Sequence, residues 1–219
     1  MKIIIPARFG SKGLPLKNRK LFKYTADTIP KEYKNSVWVT TDDDIIKELA
    51  KEYGFNVIDR PAELADDYCS TKQVMNHALD SCNAKFAEDV IMLYLTYPQR
   101  TWNDIELAYQ FFKNSYTDTG GKVRSLLCRK EIQTSPYLYL EESGKDGLFG
   151  KQLKPHDLYR RQDYPTCFEI SHFISIFIVD ELQYLNNNLY NDSTIFYKIN
   201  NIIDVDYQAD LIKLNGKDS

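Results

Sequence analysis

Residues 3–18 read Ile-Ile-Ile-Pro-Ala-Arg-Phe-Gly-Ser-Lys-Gly-Leu-Pro-Leu-Lys-Asn, and this stretch decides the fold. The three isoleucines form a continuous β-branched run, which is typical of a strand buried on both faces. Pro6 ends that run, and the glycines, prolines and cations after it favour neither helix nor strand. The sequence therefore predicts a central parallel strand at 3–5 that enters a loop at 7–18.

Short apolar runs alternate with amphipathic segments along the rest of the chain. Ser70 and Gln73 match a capping box at the start of one helix. Such alternation favours an α/β fold with a mostly parallel sheet covered on both faces, in which ligands bind beyond the carboxyl ends of the strands. We therefore expect the site in the loops after Ile5, Val39 and Leu95. The predicted strands are 36–40, 55–58, 90–95, 123–128, 137–140, 173–179 and 199–205, and the predicted helices are 42–53, 70–82, 103–112 and 208–214.

Length and composition fit a single globular domain over 1–219. Of the 219 residues, 43% are hydrophobic and 27% are charged, close to the averages of globular proteins. The net charge of -3 argues against nucleic-acid binding, which needs a basic face. Four widely spaced cysteines without a CxxC pair indicate neither a zinc site nor a disulfide framework. No apolar run is long enough for a signal peptide or a membrane span, so we expect a cytoplasmic protein.

The loop after the first strand has the composition of an anion site. Its cations are Arg8, Lys12 and Lys17. Gly10 and Gly13 lack a Cβ, so their backbone amides can approach a ligand closely. This combination favours a triphosphate, and a solvated basic loop is the alternative. The spacing matches neither a Walker A loop nor the GxGxxG pattern.

Two carboxylates stand near the other end of the chain, in Asp204-Val205-Asp206. They follow an apolar run predicted to be a strand, and residues two apart on a strand point to the same face. Paired carboxylates suit Mg²⁺, which prefers hard oxygen ligands and retains waters and substrate phosphates. From this pattern alone, a magnesium site and ordinary surface acids at a strand end both stay open.

Residues 6–18 resemble the signature PARxGSKGLPxKN of the CMP-N-acylneuraminate synthetases, the sialic-acid cytidylyltransferases. Thr71 also stands where that family commonly has a hydroxyl residue. The resemblance covers nearly the whole chain, and the shared order of its motifs is more specific than any one of them. The further landmarks follow in family order at 60–65, 96–100, 160–163 and 203–211.

The resemblance implies a three-layer, Rossmann-like nucleotide-diphospho-sugar transferase fold with a dimerisation insertion at about 133–165, and a homodimer. It also implies transfer of CMP from CTP to the anomeric hydroxyl of a nine-carbon, sialic-acid-like sugar acid, with Mg²⁺ as cofactor and pyrophosphate as the leaving group. The implied nucleotide contacts are Arg8, Gly10, Ser11, Lys12, Lys17, Asn18, Arg60 and Thr71. The implied substrate contacts are Tyr94, Arg100, Arg161 and Gln162, the metal ligands are Asp204 and Asp206, and the catalytic cations are Arg8, Lys12 and Lys17.

The chain departs from the family pattern at three places. Tyr94-Leu95 stands where the family usually has Gln-Pro, and Ile170-Ser171 where it has Asn-Gly. The segment between Asn18 and Val37 is compressed and contains Pro30, so we expect one helix there to be short or missing. These departures favour a variant substrate, such as legionaminic or pseudaminic acid, over ordinary N-acetylneuraminic acid.

Several alternatives stay open. A Kdo cytidylyltransferase has a first loop resembling SxRLPGKPL, which differs from residues 11–18 here. A glycosyltransferase could use Asp204-Val205-Asp206 as a DxD motif, although that motif normally lies in mid-chain. A catalytically silent nucleotide-binding homologue is the alternative outside the enzymes. No general base is assigned: His77 lies inside a predicted helix and reads as structural, and His172 is left open.

Overall fold

In the computed structural model, the described residues are 1–132, 134–144, 149–200 and 202–215. Strands and helices alternate through the first half, as the sequence predicts. The strands are β1 (Lys2–Pro6), β2 (Val37–Thr41), β3 (Asn56–Asp59), β4 (Asp89–Met92), β5 (Ser125–Glu131), β6 (Leu140–Ser143), β7 (Phe149–Gln152), β8 (Phe168–Ile178) and β9 (Thr194–Lys198). The helices are α1 (Lys17–Thr28), α2 (Asp44–Glu52), α3 (Thr71–Ser81), α4 (Trp102–Asp118) and α5 (Gln208–Asn215).

A seven-stranded sheet with the order β3-β2-β1-β4-β8-β5-β9 forms the centre of the fold. Its neighbouring strands are parallel except around β8, which runs antiparallel to both β4 and β5. The prediction of an α/β fold with a mostly parallel sheet is confirmed. Strand β1 is central, and the chain leaves its carboxyl end to form the predicted anion loop.

The burial of the three isoleucines of β1 explains why the sequence of this strand is apolar without interruption. Ile3, Ile4 and Ile5 are all 0% exposed. Ile3 and Ile5 belong to one core cluster and Ile4 to another, because successive side chains on a strand point to opposite faces. Both faces of the sheet are therefore covered, and β1 is a rigid base for the loop that follows it.

Helix starts are set by side-chain caps. The predicted capping box is confirmed: Ser70 accepts a hydrogen bond from the amide of Gln73, whose side chain bonds back to the Ser70 amide. Helix α4 differs from its prediction, because Thr101 rather than Asn103 caps it and it continues to Asp118 instead of 112. The same reciprocal bond, between Thr101 and Asp104, fixes this earlier start.

Three further predictions of secondary structure are wrong. The strand predicted at 137–140 is a single helical turn at Pro136–Leu138, and β6 begins only at Leu140. Helix α1 is a full 12-residue helix, because a narrow stripe containing Leu21 and Phe22 is buried while the lysines around it stay exposed. The residues described within 199–205 do not continue as a strand, and β9 lies earlier, at Thr194–Lys198. The amide of Val205 instead donates to the carbonyl of Thr96 at 2.8 Å, which draws this segment across the loop after β4.

The predicted insertion at 133–165 contains the separate two-stranded ribbon of β6 and β7. Residues 133 and 145–148 of this region lie outside the described residues. The role of the insertion in dimerisation stays a prediction. Among the residues that the structure describes, no helix is long and apolar enough to cross a bilayer.

Candidate active site

An open cleft lies beyond the carboxyl ends of β1 and β4. Predicted contacts from distant parts of the chain meet in its wall. Lys12 lies beside the cleft, in a depression that it shares with Arg8 and Asp67. The predicted nucleotide and substrate contacts that line the cleft are Arg8, Gly10, Ser11, Lys17, Asn18, Arg60, Thr71 and Tyr94.

Two predicted phosphate ligands converge on one carboxylate. Arg8 Nη2 lies 2.7 Å from Asp67 Oδ1, and Lys12 Nζ lies 2.9 Å from Asp67 Oδ2. Lys12 and Arg8 both lower the pKa of the Asp67 carboxyl, which therefore stays charged at neutral pH. Since one oxyanion already satisfies both cations, the same pair of side chains can hold the oxygens of a phosphate.

Lys17 is the first residue of α1 and points at the predicted metal site. Its Nζ lies 2.7 Å from Asp206 Oδ1, and its side chain is only 16% exposed. Leu16, just before it, adopts a left-handed conformation with φ 55, which turns the loop into the helix. Asn18 donates from Nδ2 to the carbonyl of Arg8 at 2.8 Å, so the start of α1 is bonded to the loop.

The deeper wall of the cleft is made by Arg60, Thr71 and Tyr94. Burial lowers the pKa of Arg60 to about 10, and its Nη2 donates to the carbonyl of Thr40 at 2.8 Å. The hydroxyls of Thr71 and Tyr94 are 2.6 Å apart and share a hydrogen bond. Behind them the ring of His172 meets Tyr94 edge-on at 5.6 Å, and burial lowers the pKa of this imidazole, which is therefore neutral at pH 7.

Asp204 is half-buried, and its Oδ1 has no hydrogen-bond partner among the described residues. Burial raises the pKa of its carboxyl; the nearby side chains of Thr96 and Tyr97 act in the opposite direction, and the Asp206 carboxylate adds to the rise. Oδ1 itself meets no donor with hydrogen-bond geometry in the described part of the chain. An unsatisfied buried acceptor beside a second carboxylate fits a hard cation such as Mg²⁺. Within the described ranges no group of three or more His, Cys, Asp or Glu side chains is arranged around one point.

Arg100, a predicted substrate contact, does not reach the cleft. Its side chain is buried, with Nη1 donating to the carbonyl of Phe173 at 2.6 Å and Nη2 to the carbonyl of Tyr94 at 2.8 Å. Nη2 also donates to the hydroxyl of Thr25 at 3.1 Å. Arg100 therefore ties α1, β8 and the loop after β4 together under the site, and this position corrects the substrate role that the resemblance implies.

Arg161 and Gln162 lie in an exposed turn away from the cleft. Arg161 lines a second depression of about 670 Å³, which includes Glu131 and Tyr164. Within one chain, these two predicted substrate contacts are not brought together with the nucleotide contacts. His77 lies in α3, as its structural interpretation requires.

The comparisons with known proteins agree with this geometry. A family model described as "Cytidylyltransferase" matches residues 2–98. A pseudaminic acid cytidylyltransferase of Campylobacter jejuni is 31% identical over 175 residues, which cover 75% of this chain and 72% of that protein. The chain belongs to the cytidylyltransferase family.

Other relatives fall in the same family. An N-acylneuraminate cytidylyltransferase of Streptococcus agalactiae serotype III is 26% identical over 225 residues, which cover 97% of this chain and 52% of that protein. The chain thus spans about half the length of this relative. A solved CMP:2-keto-3-deoxy-manno-octonic acid synthetase in complex with CTP matches with a TM-score of 0.65 and 17% identity, covering 99% of this chain and 97% of that one. This likeness shows the shared fold.

Three residues of the site were missed by sequence reasoning. Asp67 holds Arg8 and Lys12, while Arg19 pairs with the buried Asp43 beside the anion loop. Asp67 directly follows the Arg60 landmark, in Ala65-Asp66-Asp67, so its position in the chain was the available signal. The Arg19–Asp43 pair carried no comparable signal, because it joins two helices across 24 positions of sequence.

Gly13 offers a test of the contact between the anion loop and the segment that contains Asp204 and Asp206. A Cβ at Gly13 would overlap the backbone carbonyl of Asp206, whereas a Cβ at Gly10 would meet nothing within 4 Å, and neither glycine has positive φ. We expect Gly13→Ala to lower the free energy of unfolding by about 1–3 kcal/mol, as overpacking does. Gly10→Ala is the matched control and should melt like the wild type. Equal melting temperatures for both variants would contradict this packing.

Proposed function

We propose that this chain transfers CMP from CTP to the anomeric hydroxyl of a nine-carbon, sialic-acid-like sugar acid and releases pyrophosphate. The observation that carries the proposal is the ion pair, 2.7 Å long, between Lys17, which lines the cleft with the anion loop, and Asp206, in a member of the cytidylyltransferase family. Such a reaction needs alignment and charge neutralisation rather than a protein nucleophile.

In this reaction the anomeric oxygen attacks the α-phosphorus of CTP. A new P–O bond forms to the sugar, the bond from the α-phosphorus to its bridging oxygen breaks, and pyrophosphate leaves with that electron pair. The hydroxyl proton passes to solvent. Arg8 and Lys12 exchange Asp67 for phosphate oxygens, and Lys17 exchanges Asp206, so all three offset the charge that develops on pyrophosphate.

Mg²⁺ is the proposed cofactor, with Asp204 and Asp206 as its protein ligands. When bound, the cation polarises phosphate oxygens and neutralises part of their charge. The unpartnered Oδ1 of Asp204 supports this assignment, because a buried acceptor without a donor is costly unless a ligand satisfies it. Asp206 becomes available once Lys17 moves to the nucleotide.

The other polar residues of the cleft are assigned to the nucleotide and the sugar. Asn18, Arg60 and Thr71 are the proposed nucleotide contacts, together with the amides of Gly10 and Ser11. Tyr94 is the proposed sugar contact, and its hydroxyl is already oriented by Thr71. A partly buried tyrosine in the cleft wall presents one hydroxyl, which favours a variant nonulosonic acid.

A homodimer is proposed to complete the site. Arg161 and Gln162 lie in the insertion and away from the cleft of their own chain, so they can contact a sugar acid when they come from a second copy. Each site would then take its nucleotide contacts from one chain and its carboxylate-binding arginine from the other. We propose a cytoplasmic location for this enzyme, where CTP is made.

The substrate class is tested by product analysis. The purified protein is incubated with CTP, Mg²⁺ and one acid at a time from a panel of pseudaminic, legionaminic and N-acetylneuraminic acids and Kdo, and the products are read by mass spectrometry. A CMP adduct of a nine-carbon acid is the expected product. The pseudaminic acid arm has specific support, since the Campylobacter jejuni relative is 31% identical. An adduct formed only with Kdo would replace the proposed substrate class.

A further inference from the structure

The anion loop is supported from outside the cleft by a buried ion pair. Arg19, in the first turn of α1, donates from Nε and Nη2 to the two carboxylate oxygens of Asp43 at 2.7 and 2.9 Å. The Asp43 side chain is 1% exposed, and it also caps α2 by accepting from the amide of Ile45 at 3.0 Å. The guanidinium is therefore locked in one orientation, because a two-point bond to a buried, capped carboxylate leaves it no freedom to rotate.

The free face of this guanidinium lies against the loop. Arg19 Cζ is 5.0 Å from the centre of the Phe9 ring, and the Phe9 amide donates to Asp42 Oδ1 at 2.8 Å. Phe9 is 49% exposed, so it is not held there by burial in the core. Its ring is contacted by Arg19 of α1 and its backbone is bonded to Asp42, just before α2, and Phe9 directly follows Arg8.

We infer that Arg19 is a positioning residue, which holds the anion loop through Phe9 so that Arg8 and Lys12 face a triphosphate. Asp43 orients Arg19, and the stacked ring transmits that orientation to the loop. Arg19 itself does not line the cleft. This inference rests on the proposed function, because it presumes that the loop binds the triphosphate of a nucleotide.

The arrangement is specific to arginine. Only a planar fork can bond both oxygens of Asp43 and still present a flat face to an aromatic ring. A lysine keeps the charge and one bond to the carboxylate, and it loses the second bond and the planar face. Arg19→Lys should therefore keep only part of the preference for a triphosphate that a neutral residue at this position loses.

The test compares the affinities for CTP and CMP, measured by isothermal titration calorimetry at one fixed Mg²⁺ concentration. Arg19→Met should weaken CTP binding about tenfold, the effect of losing one charge-assisted hydrogen bond to phosphate, and should change CMP binding little. Arg19→Lys should fall between Met and the wild type. Lys20→Met is the matched control, because it removes one exposed positive charge from the same helix turn and should leave the ratio of the two affinities unchanged.

A second variant avoids the folding cost of leaving Asp43 unpaired. Phe9→Ala alters an exposed ring, so it should melt like the wild type and still reduce the preference for CTP. A wild-type preference for CTP that survives both Arg19→Met and Phe9→Ala would overturn the positioning role. So would equal losses of CTP and CMP binding. A wild-type protein with no preference for CTP over CMP would overturn the proposed function itself.

Discussion

Asp206→Ala is expected to abolish Mg²⁺-dependent pyrophosphate release, with a loss of about a thousandfold or more, while the fold stays intact. Removing a metal ligand costs several kcal/mol of transition-state stabilisation, and each 1.4 kcal/mol corresponds to about tenfold in rate. The Asp206 side chain is exposed, so its removal opens no cavity, but Lys17, which is only 16% exposed, loses its ion-pair partner. The rate is measured at several Mg²⁺ concentrations and the fold by thermal melting.

Asp118→Ala is the control for this prediction. Asp118 is also exposed, at the end of α4, and its removal changes the net charge by the same amount. It should retain the wild-type rate and the wild-type dependence on Mg²⁺. Full activity of Asp206→Ala would remove Asp206 from the metal site, and the role of Asp204 would then need to be tested separately.

Lys17→Ala is expected to raise the KM for CTP by at least about tenfold and to leave the KM for the sugar acid close to its wild-type value. A lysine that bonds phosphate contributes about 1.5–3 kcal/mol, and the contact is specific to one of the two substrates. Lys17 is placed for this role, since its Nζ already bonds a carboxylate at the edge of the cleft. Initial rates with each substrate varied in turn give both constants.

The matched control is Lys23→Ala, which removes an exposed charge from the same helix. Neither KM should change in this variant. A Lys17→Ala protein in which both substrates lose affinity equally would indicate a folding defect rather than a lost phosphate contact. The melting temperatures of the two variants separate these outcomes.

The sequence predicted those parts of the fold that depend on local patterns. The buried run at 3–5, the capping box at Ser70 and the strand–helix alternation all follow from side-chain periodicity within a few residues. The mostly parallel sheet followed from that alternation. Helix α1 was missed because its buried stripe is narrow and is flanked by the exposed residues Lys20 and Lys23.

The site was only partly predictable, because several of its parts depend on long-range contacts. The carboxyl ends of parallel strands brought Arg8 and Tyr94 to one cleft, as the fold class requires. The role of Arg100 could not be read from its position in a motif, since its buried position depends on carbonyls of Phe173 and Tyr94. Likewise, the path of the Asp204 segment is set by a backbone bond to Thr96 instead of by strand pairing.

The ion pairs between distant segments were the least predictable feature of the candidate site. Asp67 and the Arg19–Asp43 pair act on the anion loop from outside its own sequence. Charged residues of this kind are abundant on any protein surface, so their identity alone does not separate a support of the site from a solvated side chain. Only the three-dimensional structure shows which charges meet.

The most direct test of the central claim is the release of pyrophosphate by the purified protein with Mg²⁺, each of the four nucleoside triphosphates and a panel of nonulosonic acids. Release is expected to require CTP and one nine-carbon acid together, and neither alone should support it. Binding of CTP without release for any acid would contradict it and would favour a silent nucleotide-binding protein, and release with a different nucleotide would contradict the assignment to CTP.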